Sequence, residues 1–347
     1  MRAARLTGWR QPLEIGQVPD PDCPRDGVVL EVLACGICRS DWHAWSGADS
    51  DVILPMIPGH EFCGQVIEVG ADVTAWTPGD RVIAPFILAC GACPDCQAGH
   101  QTICARQAVP GFTQDGAFAE RIAVPFADTS LTRLPEGMDP ALAAAFGCRV
   151  TTAWHALTGR AALRPGEWLA VWGGGGIGTA ALILGKAIGA RVVVADVVPE
   201  KLTYATGLGA DAVIDAREPD AVQALRDVTG GGADLAIEAL GVEVTTRNAM
   251  LSLKKLGRMV QVGMPAGDHA AMTLPWDAVY SGQLAIYGTR GMPSWRYRSL
   301  LSLIEGGNVD LSPMIARRVA LSNVSAELAA FDAPAPPGVA VITDFQS

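Results

Sequence analysis

Trp168–Val197 reads WLAVWGGGGIGTAALILGKAIGARVVVADV, and the fold is decided there. The stretch runs from a short apolar strand through a glycine turn into a helix, and ends in a second strand. Gly173, Gly175 and Gly178 fit G-x-G-x-x-G, with Gly176 and Ile177 at the helix start. Alone that pattern is weak. Here it follows a strand, opens a helix and has Asp196 at the end of the next strand, 18 residues beyond Gly178. The first two glycines permit the tight turn and let a pyrophosphate approach the backbone, and the third lets helix and sheet pack. The helix N-terminus offers free N–H groups and the positive end of its dipole to phosphates. A carboxylate at Asp196 accepts hydrogen bonds from adenosine ribose hydroxyls and repels a 2′-phosphate, and no arginine follows it in DVVPEKL. NAD is therefore expected over NADP.

Downstream the alternation continues. DAVID, ADLAIEAL, GRMVQVG and QLAIYG read as further strands separated by helical pieces, the composition of a doubly wound parallel sheet. Upstream the texture differs. Gly27–Ala34 is a compact apolar strand that delivers a bend at Cys35-Gly36, and FCGQVIEVG and GDRVIAPF follow with Gly/Pro/Asp punctuation. That is antiparallel, curled β structure. MDPALAAAFGCRVTTAWHALTGR reads helical from Asp139-Pro140, with one helix giving way to the next at Cys148. From Gly291 the chain returns to the first unit, closing with GVAVITDF. The expected division is α/β: residues 1–148 with 291–347 as a β-rich unit, and 149–290 as the dinucleotide-binding unit.

Two groups of metal donors stand in the β-rich part. Cys35–Glu61, CGICRSDWHAWSGADSDVILPMIPGHE, offers the Cys38 thiolate, the His60 imidazole and the Glu61 carboxylate. Zinc accepts all three, and a catalytic zinc keeps an open position beside three protein ligands. Cys148, in FGCRV at the junction of the units, is the candidate that completes the set. Ser40 and His43 lie between Cys38 and His60, a hydroxyl and an imidazole suited to moving a proton. The second group, Cys90, Cys93, Cys96 and Cys104, gives C-x2-C-x2-C-x7-C within a lobe of about residues 88–106. Four thiolates leave no position for substrate, so this site is expected to be structural. An iron–sulfur cluster and disulfides are its chemical competitors. Phe86, ending GDRVIAPF, and Phe112, in PGFTQDG, face either a substrate or the core.

CRSDWHAW followed by PGHE resembles the zinc-dependent alcohol dehydrogenases of the medium-chain dehydrogenase/reductase superfamily, over nearly the whole chain. The resemblance implies a GroES-like catalytic domain joined to a Rossmann domain, two zinc ions per subunit, and reversible conversion of alcohol and NAD to aldehyde or ketone and NADH. Ser40 and His43 would relay the proton. Glu61 would bind the metal directly or sit behind it, with Asp41 as a partner for a ligand histidine. By family position Lys201 contacts the ribose, Val262 and Met264 lie beside the nicotinamide, and Trp45 and Phe86 line an apolar pocket. Many relatives carry a basic residue near Ala340 that holds the pyrophosphate, which leaves Arg39 as the basic candidate here. The small Ser40 favours a primary or secondary alcohol with an apolar body, benzylic or allylic ones included. A polyol dehydrogenase of the sorbitol type, where a glutamate replaces the third cysteine, and an NADPH-dependent carbonyl reductase are the alternatives. A zinc-free reductase would lack both donor groups. A cofactor-binding protein with a dead site is a further rival.

The 347 residues suffice for two cores, half of them are hydrophobic and 18% charged, and the net charge is −10. Such a surface repels nucleic acid. MRAARLTGWRQPLEIG does not read as a signal peptide, and TAALILGKAIGA, interrupted by Lys186, is too short for a membrane span. Nine cysteines without a secretory signal favour metal or thiol use in the cytoplasm. A small-molecule substrate is expected, with no nucleic-acid or membrane partner, and a homo-oligomer, a tetramer before a dimer.

Overall fold

The computed structural model describes residues 1–333 and 337–347. Six strands, Trp168–Trp172, Arg191–Asp196, Ala212–Asp215, Ala233–Glu238, Leu253–Gln261 and Ala285–Gly288, lie parallel in one sheet. Counted along the chain, their order across the sheet is third, second, first, fourth, fifth, sixth. Leu169–Val171 and Val192–Ala195 are buried throughout, as parallel strands covered on both faces must be. The order reverses between the first and fourth strands, and the crevice outside their carboxyl ends is where such sheets take ligands.

The second sheet has seven strands. Val28–Gly36 runs through its middle, paired antiparallel with Glu61–Val69, Arg121–Val124 and Val339–Asp344. The bend expected at Cys35-Gly36 does not occur there. Both residues stay in the ladder, Cys35 opposite Phe62 and Gly36 opposite Glu61. They are buried between two neighbouring strands, so leaving the ladder early would orphan backbone groups away from water. The chain leaves the sheet at Ile37, whose N–H still donates to the Ala340 carbonyl at 2.9 Å. A strand the sequence reading passed over, Ile315–Ala320, lies parallel to Val339–Asp344.

As expected, the helix that starts after Asp139 gives way to a second one at Cys148. Asp139 accepts from the Ala141 N–H and opens Pro140–Ala144, and the second helix, Arg149–Trp154, starts after Cys148. One apolar cluster joins the two sheets, with Ala34, Cys63 and Ile83 from the mixed sheet and Val171, Leu235 and Val260 from the parallel one. The two units therefore share a core, which fixes the crevice between them. Among the described residues no helix is long and apolar enough to cross a membrane.

Candidate metal centres and cofactor cleft

Register brings the first donors together. With Gly36 opposite Glu61, Cys38 and His60 are carried to the same end of two paired strands. The helix break brings in the fourth, and ligand atoms of Cys38, His60, Glu61 and Cys148 all lie within 4.8 Å of one another. Asp41 organises the group. Its carboxylate accepts the Cys38 N–H (2.8 Å) and the Gly59 N–H (3.2 Å), and meets His60 Nδ1 at 2.9 Å. That leaves His60 Nε2 buried with no hydrogen-bond partner. A buried ring nitrogen left unpaired costs about 1–3 kcal/mol, and coordination to a metal removes the penalty. Contact with the Cys148 thiol, helped by the nearby Arg149 charge, holds the Cys38 thiol well below its usual range against the effect of burial. The same contact, with burial, pushes Cys148 well up. Sulfur, imidazole and carboxylate at this spacing fit zinc.

Glu61 has a partner that sequence reasoning missed. Arg149 Nη1 lies 2.8 Å from Glu61 Oε2, and the Arg149 N–H donates to Oε1 at 3.2 Å. Arg149 Nη2 donates to the Ile37 carbonyl. Burial pushes the Glu61 carboxyl up to about 8, with the Arg149 charge opposing it. The available signal was a charged residue inside the apolar run FGCRV, because a buried arginine needs a partner.

In the four-cysteine group, Cys104 Sγ lies 3.5 Å from Cys90 Sγ and 3.9 Å from Cys93 Sγ. Tetrahedral bonds of about 2.3 Å require sulfurs roughly 3.8 Å apart. The short helix Pro94–Gln97 sets Cys93 and Cys96 at either end of one turn. All nine cysteines are free of disulfides. Apart from its cysteines the lobe's apolar cluster contains only Ala89. Ser294 and Trp295 tie it to the rest of the molecule through Gln101 and the Gly99 carbonyl.

A cleft of about 600 Å³ runs from Cys38 and His43 past Arg149 and Gly176 to Lys201. Gly173 holds φ +106°, and a Cβ on Gly178 would stand 1.9 Å from the Gly173 carbonyl oxygen. Both positions thus require glycine. Asp196 is buried and accepts from the Gly174 N–H (2.7 Å) and the Val198 N–H (2.9 Å), with Lys201 Nζ 3.7 Å away. Arg39 stacks between Trp42 (5.0 Å) and Phe331 (5.3 Å) and borders the side pocket of Asp196 and Lys201 as well as the main cleft. Met264 lies exposed on the cleft wall, while Val262 packs partly into the core. Sequence reasoning also passed over Glu238. Fully buried at the end of the fourth parallel strand, it accepts from the N–H groups of Leu240 and Gly241 and from Thr245 Oγ1, and so shapes the cleft floor.

Ser40 Oγ lies 3.8 Å from Cys38 Sγ. One turn on, His43 has a buried, unpartnered Nδ1, and burial lowers its pKa. Phe112 and Phe86 meet the His60 ring edge-on at 5.4 and 5.8 Å. Trp45 is buried, its Nε1 donating to the Gln11 carbonyl at 2.6 Å. None of these three aromatics lines the large cleft; the two phenylalanines reach the metal position through His60.

Two family models match the chain: an alcohol dehydrogenase GroES-like domain over residues 24–136, and a zinc-binding dehydrogenase domain over 176–306. An alcohol dehydrogenase of Geobacillus stearothermophilus is 38% identical over 297 residues, 84% of this chain and 85% of that one. An L-threonine 3-dehydrogenase of Streptomyces coelicolor is 31% identical over 339 residues, 96% of each. Among solved structures, an NAD-dependent alcohol dehydrogenase superposes with a TM-score of 0.90 at 28% identity, covering 99% of this chain and 100% of that one.

Proposed function

Because the chain belongs to the zinc-type alcohol dehydrogenases of the medium-chain dehydrogenase/reductase superfamily, we propose that it moves hydride reversibly between NAD and a primary or secondary alcohol with an apolar body. The observation that carries this reading is the cleft itself. Cys38 stands at one end of it, and the glycine turn with Lys201 at the other. When bound, a zinc ion polarises the substrate oxygen and the nicotinamide accepts the hydride.

Cys38, His60 and Cys148 hold that ion, with Asp41 fixing the histidine tautomer and Glu61 adjacent. Ser40 takes the hydroxyl proton of the substrate, and His43 passes it to solvent; a neutral imidazole, favoured by burial, is ready to accept it. Phe86 and Phe112 close the apolar side around His60 and favour benzylic or allylic substrates over polyols. The N–H groups at Gly175, Gly176 and Ile177 receive the pyrophosphate. Asp196 and Lys201 take the adenosine ribose, and Val262 and Met264 flank the nicotinamide. Arg39, stacked on Trp42 and Phe331, contributes charge at the cleft rim. Cys90, Cys93, Cys96 and Cys104 hold a second, structural zinc.

Ile286 on the outer strand of the parallel sheet is exposed, as are Trp276 and Tyr280 on the preceding helix. An uncovered edge with apolar neighbours supports a homo-oligomer, a tetramer before a dimer. Nine unpaired cysteines fit the cytoplasm.

A panel of alcohols, with L-threonine and a polyol as controls, assayed with NAD and NADP side by side, tests the reading. Turnover of benzylic or aliphatic alcohols with NAD is expected. No turnover of any alcohol by zinc-loaded protein overturns it. Asp196→Gly removes hydrogen bonds from a charged acceptor, which are each worth about 1.5–3 kcal/mol. The NAD/NADP ratio of kcat/KM is expected to fall by roughly 10–100-fold; an unchanged ratio removes Asp196 from the ribose role.

A further inference from the structure

Arg149 has no part in the mechanism above, yet it stands where the two halves of the site meet. Its side chain is 6% exposed. Nη2 is committed to the Ile37 carbonyl, and Nη1 is paired with Glu61 Oε2 at 2.8 Å. The aliphatic stem lies against the glycine turn: a Cβ on Gly176 would come within 2.5 Å of Arg149 Cδ and 2.7 Å of Nε. Gly176 opens the thirteen-residue helix Gly176–Ile188, whose first N–H groups have no partner within the helix. A guanidinium carries five N–H donors in a fixed fork, so it can serve two anions at once. Ala340 lines the same cleft with a side chain too small to fill it.

The other cations on the cleft are engaged. Arg317 pairs with Glu327, Lys201 faces Asp196, and Arg39 is stacked between two rings. Arg149 differs from them in touching both the glycine turn and a residue of the metal centre.

We propose that Arg149 couples the diphosphate of a bound dinucleotide to Glu61, dividing its guanidinium between the two anions. The inference rests on the dinucleotide reading of the cleft. With no diphosphate present, the guanidinium serves Glu61 and the Ile37 carbonyl. A diphosphate at the start of the Gly176 helix offers the guanidinium a second anionic acceptor on the side where Nε faces the glycine turn, and loosens the hold on Glu61. Coupling of this kind is reciprocal, so removing the Glu61 charge strengthens diphosphate binding.

Calorimetric titration of the zinc-loaded protein with ADP-ribose, and with adenosine as the phosphate-free control, tests this without turnover. Arg149→Gln is expected to weaken ADP-ribose by roughly 10–100-fold and leave adenosine unchanged. Glu61→Gln is expected to tighten ADP-ribose several-fold in the parent and to have no effect in the Arg149→Gln background. If wild-type protein binds ADP-ribose and Arg149→Gln binds it equally, or loses adenosine to the same extent, the Arg149 assignment is overturned while the dinucleotide reading stands. If wild-type protein binds neither ligand, both fall. Should Arg149→Gln not fold, Arg149→Lys carries the test. It keeps the charge but not the fork, and a several-fold loss for ADP-ribose alone is expected; unchanged affinity for ADP-ribose overturns the proposal.

Discussion

Cys90, Cys93, Cys96 and Cys104 fall within 15 residues of chain, whereas Cys38, His60, Glu61 and Cys148 span 111. The first group is all sulfur, half of it only partly buried, on a lobe with almost no apolar core. The second mixes sulfur, nitrogen and oxygen and is buried where two sheets share a core. On the proposed reading, a lobe that cannot bury enough apolar surface is held by a metal, and four thiolates would close its coordination sphere. The other group is built the opposite way. Strand register, a helix break and a buried carboxylate fix its donors, so the fold holds this site, which on the proposed reading leaves its metal free to do chemistry.

That contrast predicts opposite failures. Cys38→Ala or His60→Ala should lower kcat by more than about 10³-fold, since polarisation by the metal is worth several kcal/mol. NADH binding and Tm should stay near wild type; loss of NADH binding by a folded variant would break the division between the two ends of the cleft. Asp41→Asn leaves the ligands in place but weakens their orientation, and metal affinity at the buried centre should fall by roughly 10–100-fold. A competition titration against a chelator that finds no change would show that the fold alone aims His60. Cys104→Ala should act on stability, lowering Tm by roughly 5–10 °C while kcat falls less than about tenfold. A variant with wild-type Tm would mean that the ties through Gln101 and Gly99 hold the lobe without metal.

The contrast also sorts what was legible. The four-cysteine spacing, the glycine fingerprint and Asp196 are local patterns, and their geometry follows from turns and strand ends a few residues long. The alternation of strands and helices from Trp168 onward gave the parallel sheet for the same reason. The pairing of Cys38 with His60 was reached through residue types. The register that creates it depends on Cys35 and Gly36 staying in the ladder, where the sequence pattern had placed a bend.

The sequence by itself determined the donor sets, the dinucleotide turn and the two-unit plan, because each is written in short-range spacing and periodicity. Only the tertiary structure decided that Arg149 faces Glu61 and Gly176, that Glu238 shapes the cleft floor, and that Trp45 packs in the core beside Gln11. The longest of those contacts, between Glu61 and Arg149, joins residues 88 apart in sequence. What a buried charge or ring touches is set by how sheets and helices pack, and no local pattern in the chain encodes that.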